Sequence, residues 1–294
     1  MKVFLVVLSC AVITMAGGLL FETGRISDGL KSVQVEASTF PYDLDNPADK
    51  FKLPHVLDEI SGISYLPENK LACVQDEDGI IYVFDLERKK ITATCEFGRE
   101  RDYEDIALVN NTAYVLQSNG QILEITDFWR KDPTISRLKT PLLSKKNDTE
   151  GLAFDAESNS LLITCKGSQN TKKKRGGLPG LNGLQGENTV YQFDLGTRKL
   201  SVKLGYTVGA DDASFHPSGI AVHPITRDIY ILSSVNKTLI VVHPEGEIIA
   251  ARRLDNKTFK QPEGICFNPD GDLFISNERH QEGKANILRF NYQP

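Results

Sequence analysis

Five short segments of this chain can be laid over one another: EISGISYL at 59, DYEDIALV at 102, DTEGLAFD at 148, HPSGIAVH at 216 and QPEGICFN at 261. The alignment puts Gly62, Asp105, Gly151, Gly219 and Gly264 at one position, in steps of 43, 46, 68 and 45 residues. Self-similarity at such a period marks an array of one supersecondary unit, in which each copy needs its neighbours to bury its apolar face. Only the third unit is long. Its excess is the insert GSQNTKKKRGGLPGLNGLQGEN (167–188).

Inside a unit the pattern is strand and turn in alternation. The first copy reads GISYL, KLACVQ, IIYVFDL and KITATCEF, short runs rich in β-branched and aromatic residues and bounded by Gly, Asn, Asp and Pro. No stretch beyond the N-terminus sustains a helical period. Four strands in about 45 residues is the blade of a β-propeller. The expected fold is therefore all-β, a propeller of five four-stranded blades; a sixth would need a unit the repeat does not display. The fifth unit runs out after three strands, so a strand from the N-terminal side, placed at STFPYDLDN (38–46), is expected to complete it and leave no open edge.

The 294 residues divide into 1–21, a signal peptide or N-terminal membrane anchor, 22–37, a linker, and 38–294, a single propeller domain. The first segment, MKVFLVVLSCAVITMAGGLLF, has one early Lys and then a charge-free apolar run whose length borders on both a signal and a span. Its VLSC also resembles a lipoprotein cleavage box, which would lipidate Cys10. Each option places the protein in the cell envelope, on the periplasmic or outer face and attached to the membrane where the segment is retained or lipidated. The net charge of −5 argues against a nucleic-acid partner. Cys73, Cys95, Cys165 and Cys266 lie inside apolar runs without metal spacing and read as buried free thiols.

Polar residues recur in register with the repeat. Just before the shared Gly stand Ser61, Glu104, Glu150, Ser218 and Glu263; three before it stand Glu59, Asp102, Asp148, His216 and Gln261. Positions two apart on a strand share a face, so each pair is expected to point the same way. If the first strand of a blade lines the channel, its start and the end of the second strand meet at one mouth. Those ends supply a rim of Gln75, Asp76, Glu77, Lys166, Asn277 and Glu278.

Carboxylates gathered this closely cannot all ionise without a partner. A hard cation with oxygen ligands, Ca2+ foremost, would offset the repulsion. Protonation, salt bridges to Lys166 or Arg279, or a purely architectural role at the start of each strand would do so equally. His216 is either a channel base or a hydrogen-bonded structural residue. The basic run in the insert is a solvated loop or a site for an anionic group. The chain has no Walker A loop, dinucleotide fingerprint, GxSxG elbow or HExxH helix.

The run LPHVLDEISGISYLPENKLACVQDEDGIIYVFDLERKKI, with DYEDIALVNNTAYVLQSNGQILEI and DTEGLAF after it, resembles the bacterial SdiA-regulated proteins over about residues 40–292. The resemblance implies an exported or membrane-attached β-propeller with calcium at its acidic channel. It assigns no reaction. The chain departs from the family pattern at Asp105, which stands where Gly is usual, and in the basic insert. Three functions follow: a non-catalytic protein whose mouth binds a cation and a small ligand or protein partner; a Ca2+-dependent hydrolase of lactonase, esterase or phytase type with Glu104, Glu150 and Glu263 on the metal; or an interaction scaffold.

Overall fold

The computed structural model describes residues 40–166, 188–206, 208, 215–281 and 283–294. The expectations for residues 1–37, Cys10 and the insert up to 187 lie outside these. The chain opens with β1 (Asp49–Lys52) and a single 3-10 turn at His55–Leu57, then builds four complete antiparallel sheets in sequence order. The first holds β2 (Ile60–Leu66), β3 (Lys70–Gln75), β4 (Ile80–Asp85) and β5 (Lys90–Glu96). The second holds β6 (Tyr103–Val109), β7 (Thr112–Gln117), β8 (Ile122–Thr126) and β9 (Thr134–Leu138). The third holds β10 (Thr149–Asp155), β11 (Ser160–Cys165), β12 (Asn188–Asp194) and β13 (Lys199–Tyr206). The fourth holds β14 (Gly219–Val222), β15 (Ile229–Ser233), β16 (Thr238–Val242) and β17 (Ile248–Arg253). Three strands remain, β18 (Pro262–Phe267), β19 (Leu273–Asn277) and β20 (Asn286–Phe290), and β1 pairs with β20 as the fourth. The result is a five-bladed β-propeller closed by an N-terminal strand.

That closing strand is Asp49–Lys52, with Phe51 opposite Ile287, and not 38–46 as the sequence suggested. The reason is local. The Asp43 carboxylate accepts from the backbone N–H groups of Asp45 and Asn46, which turns the chain before it can extend. Phe40 and Tyr42 instead pack against the side of blades four and five. Tyr42 donates its hydroxyl to Gly271 O at 2.6 Å, and Gln293 N donates to Pro41 O at 2.9 Å, so both ends of the domain are pinned together.

The core is five separate seams, one between each pair of neighbouring blades. Inner strands are therefore apolar on both faces: every residue of β11 and β16 is buried, whereas β5 and β9 at the rim are largely exposed. This is why the central runs read as continuous apolar text without strict alternation. A fully buried Ile or Leu contributes about 1.5–3 kcal/mol, and β15 alone buries Ile229, Tyr230, Ile231 and Leu232. Cys73, Cys95, Cys165 and Cys266 are buried free thiols.

The repeated Gly has a steric cause. First strands of adjacent blades converge on the axis, and a β-carbon on Gly62 would stand 2.5 Å from the Cα of Asp105. On Gly219 it would stand 2.5 Å from Glu263 O. Real β-carbons do not tolerate such contacts, so these positions admit no side chain without a backbone shift. Asp105 is the exception and fills its own junction. Its buried carboxylate accepts from Ile106 N at 2.8 Å and from Leu152 N at 2.7 Å, joining blade two to blade three. Burial pushes that carboxyl well above its usual range, against the pull of the two N–H donors.

Candidate binding site at the channel mouth

Four first strands carry a register shift just before or at the shared Gly: Ile60/Gly62, Tyr103/Asp105, Thr149/Gly151 and Pro262/Ile265. The residue left out of register is Ser61, Glu104 or Glu150, and in the fifth blade Glu263 together with Gly264. A bulge of this kind frees one residue from the ladder and re-aims its side chain. The pre-Gly ring thus reaches the axis through an irregularity, where simple strand alternation had been the expectation.

The second strand is tied to the same end by a backbone bond repeated in four blades. Asp76 N donates to Glu59 O, Ser118 N to Asp102 O, Lys166 N to Asp148 O and Glu278 N to Gln261 O, at 2.7–3.2 Å. Asp148 adopts a left-handed φ of 50° to make its part of this contact, a conformation Asp tolerates. Asp76, Lys166 and Glu278 are thereby delivered to the mouth.

Together these elements enclose an open cavity of about 390 Å3. It is lined by Glu59, Asp76, Asp102, Glu104, Asp148, Glu150, Glu263 and Glu278, by Lys166, and by Ser61, Ser218 and Gln261. Eight carboxyl groups share it with one ammonium. Four of the residues expected at the mouth are not among those that line this cavity. His216 is half-buried, takes Asn236 Oδ1 on its backbone N–H, and sets its Nδ1 3.0 Å from Lys166 O. Its blade lacks the repeated backbone tie, since β14 begins only at Gly219. Gln75 is buried, with Oε1 accepting from Glu77 N, and Glu77 projects into solvent. Asn277 is fully buried between strands and donates to Asn286 Oδ1 at 3.2 Å.

The serines of the ring do structural work that the glutamates cannot. Ser61 Oγ donates to Tyr103 O at 2.8 Å and Ser218 Oγ to Pro262 O at 3.1 Å, each closing onto the next blade. A glutamate at that position lines the cavity instead. Glu150 is buried and has Lys166 Nζ 3.2 Å from its Oε1. Asp102 accepts from Ser118 Oγ at 2.5 Å, and Gln261 donates to Glu278. One oxygen of Asp76 is buried with no hydrogen-bond partner.

These surroundings raise five of the eight carboxyls above their usual range. Burial raises Glu104, helped by the charges of Glu150 and Asp102, and burial raises Glu150 in spite of Lys166. Glu278 is pushed up to about 8, by burial and then by Glu263, Glu59 and Asp76. Asp76 and Glu263 rise to about 6, burial leading in both. Lys166 is pulled down by burial, but Glu150 more than offsets this and keeps it charged. Of two further cationic neighbours, Arg279 was expected from the sequence and Lys237 was not. Lys237, in the turn after β15, senses Glu263 and Glu278. Arg279 binds Asp58 at 2.9 Å and lies 3.8 Å from Glu59. Turn parity alone places residue 237 on this face, and counting second-strand turns would have found it.

The donors are all hard oxygens, which is the ligand class Ca2+ takes. They are spread around the cavity wall: among the described residues no three His, Cys, Asp or Glu side chains converge as a ready metal cage. The other end of the channel has a different character. Three residues past the shared Gly stand Tyr65, Leu108, Phe154, Val222 and Phe267, around a cavity of about 200 Å3. Ile63, Ile106, Leu152, Ile220 and Ile265, each at most 2% exposed, border the same cavity and pack one into each of the five seams between blades.

Fold and site together define a five-bladed β-propeller with a carboxyl-lined mouth. The family description SdiA-regulated matches residues 37–281, and the chain belongs to the SdiA-regulated family. No curated protein sequence matches it. Among solved structures the chain is similar to the glutaminyl cyclase of Myxococcus xanthus, at 11% identity and a TM-score of 0.58, covering 84% of this chain and 96% of that one. It is also similar to a protein of unknown function from Bacteroides thetaiotaomicron, at 13% identity and a TM-score of 0.51 over 83% and 70%. A luciferin-regenerating enzyme aligns at 11% identity and a TM-score of 0.50 over 84% and 95%. At such identities the likeness is one of fold.

Proposed function

We propose that this protein is a non-catalytic binding protein of the cell envelope, attached through residues 1–21, whose channel mouth takes up a cation. One observation carries the reading: eight carboxyl groups line a single cavity beside one lysine, and burial pushes five of them above the usual carboxylate range, with neighbouring carboxyls adding to the rise at Asp76, Glu104, Glu150 and Glu278. Such a cluster destabilises the folded chain unless protons or a cation neutralise it. Calcium is the metal whose preference for several oxygen ligands best suits this wall. Glu104, Glu150 and Glu263 would be its donors, with Asp76 and Glu278 on the same wall. The neutralised mouth then offers a polar floor to a small ligand or a protein partner. His216, occupied by Lys166 O, lends nothing to a hydrolase reading.

The test is thermal melting at pH 7.5 in EGTA, in Mg2+ and in Ca2+. A ligand that binds only the folded state raises the melting temperature with its concentration. The expected result is a rise in Ca2+ that Glu150→Gln loses. Superimposable melts in EGTA and in excess Ca2+ would sink the cation reading.

A further inference from the structure

We propose that Lys166 is a competitor built into the mouth: its ammonium holds the place at Glu150 that an incoming divalent cation takes, and binding of the metal ejects it. The inference rests on the cation reading above and adds the residue that limits its affinity.

The residue directly after each second strand is Asp76, Ser118, Lys166, Ser234 and Glu278 in blades one to five. Two are acids and two carry hydroxyls; only blade three brings a positive charge. The backbone of residue 166 is fixed on both sides. Its N–H donates to Asp148 O at 2.7 Å, and its carbonyl oxygen lies 3.0 Å from His216 Nδ1. Both contacts use main-chain atoms of residue 166, so neither asks for a lysine.

The side chain goes where the carboxyls are. Its Nζ stands 3.2 Å from Glu150 Oε1, and the charges of Glu263 and Asp148 also act on it. The Glu150 side chain is 8% exposed and that of Lys166 38%, so a buried carboxylate meets an ammonium that is still open to solvent. The other cations beside the mouth are engaged outside it. Lys237 Nζ donates to Lys260 O at 2.7 Å, and Arg279 binds Asp58 at 2.9 Å. Among the described residues Lys166 is thus the cation that lines the cavity.

A metal ion and an ammonium on one buried carboxylate repel each other, in surroundings that screen little. An ammonium on a flexible four-carbon stem can swing into solvent without moving the backbone. Lys166 therefore steadies the clustered carboxyls and lowers the affinity of the mouth for a metal.

The test titrates Ca2+ by calorimetry into the full chain, Lys166→Met and Lys166→Arg at pH 8.5, where fewer protons compete for the carboxyls. Lys166→Met keeps a stem without the charge and should bind about tenfold tighter or more, while Lys166→Arg should stay near the parent chain. In parallel the parent chain is acylated with an amine-reactive ester, and Lys166 is read by peptide mass spectrometry. Ca2+ should raise its labelling several-fold and leave the exposed Lys257 unchanged. Binding seen only in Lys166→Met is the same result at its limit. Equal affinities in all three chains, or tighter binding by Lys166→Met with the labelling unmoved, overturn the ejection and leave the cation reading standing. If no chain binds Ca2+, both fall together. Should Lys166→Met not fold, the labelling of the parent chain decides alone.

Discussion

The far end of the channel is ringed by Tyr65, Leu108, Phe154, Val222 and Phe267, and the mouth by Glu104, Glu150, Glu263 and their neighbours, yet both rings belong to the same five strands. At the far end each blade contributes an apolar side chain at one repeat position, and burial there stabilises the fold in the ordinary way. At the mouth the same repeat gathers like charges with a single lysine inside the cavity. Packing explains the first arrangement. It does not explain the second, because Ser61 and Ser218 show that the pre-Gly position can be filled by a residue that helps hold adjacent blades together. Three blades carry a glutamate there instead and forgo that bond.

The comparison can be broken by exchanging the character of the two ends. Leu152→Glu would set an uncompensated charge in the apolar seam between blades two and three, where Leu152 is 2% exposed, and should cost about 4 kcal/mol or more in urea unfolding. Asp105→Ala strips the acceptor from two buried backbone N–H groups, those of Ile106 and Leu152. Its expected cost is about 2–3 kcal/mol by the same measurement. A charge removed from the mouth should act in the opposite direction. Glu150→Gln is expected to raise the melting temperature in EGTA by about 2–4 °C, roughly 1 kcal/mol for a domain of this size. It should also abolish the response to Ca2+.

A smaller effect sharpens the comparison through pH. Each raised carboxyl binds its proton more tightly folded than unfolded, so folding takes up protons. The stabilisation is present in full below the unfolded carboxyl range. It is lost as pH rises through about 6, for Asp76 and Glu263, and about 8, for Glu278. In EGTA the melting temperature should therefore fall between pH 5.5 and 8.5, and Glu278→Gln should flatten the upper part of that slope. A melting temperature that climbs over this interval would contradict the protonated mouth.

Much of this was legible before any coordinates. The period of Gly62, Gly151, Gly219 and Gly264 gave the blades because the steric demand at the axis is identical in each. The mouth was legible in outline for the same reason. Asp105 was visible as a departure, but its role depends on Leu152 N of the next blade, and a contact between repeats leaves no mark in either. The bulges were hidden because alternation and a bulge place the same residues in the cavity by different routes. The closing strand was misplaced since Phe40 and Tyr42 have strand-like composition, while the Asp43 turn that ends them is a side-chain effect. His216, Gln75 and Asn277 were assigned by position alone; their partners, Lys166 O, Glu77 N and Asn286, decide where they point.

The central claim is that the mouth holds protons which a cation displaces. It is tested most directly by calorimetric titration of Ca2+ into the protein at pH 7, in two buffers of different ionisation enthalpy. Ligands that must deprotonate release protons on binding, and the difference in heat between the buffers counts them. The account predicts saturable binding with about one proton or more released per ion, and loss of that release in Glu150→Gln. Binding whose heat is the same in both buffers, or no binding at all, would contradict it.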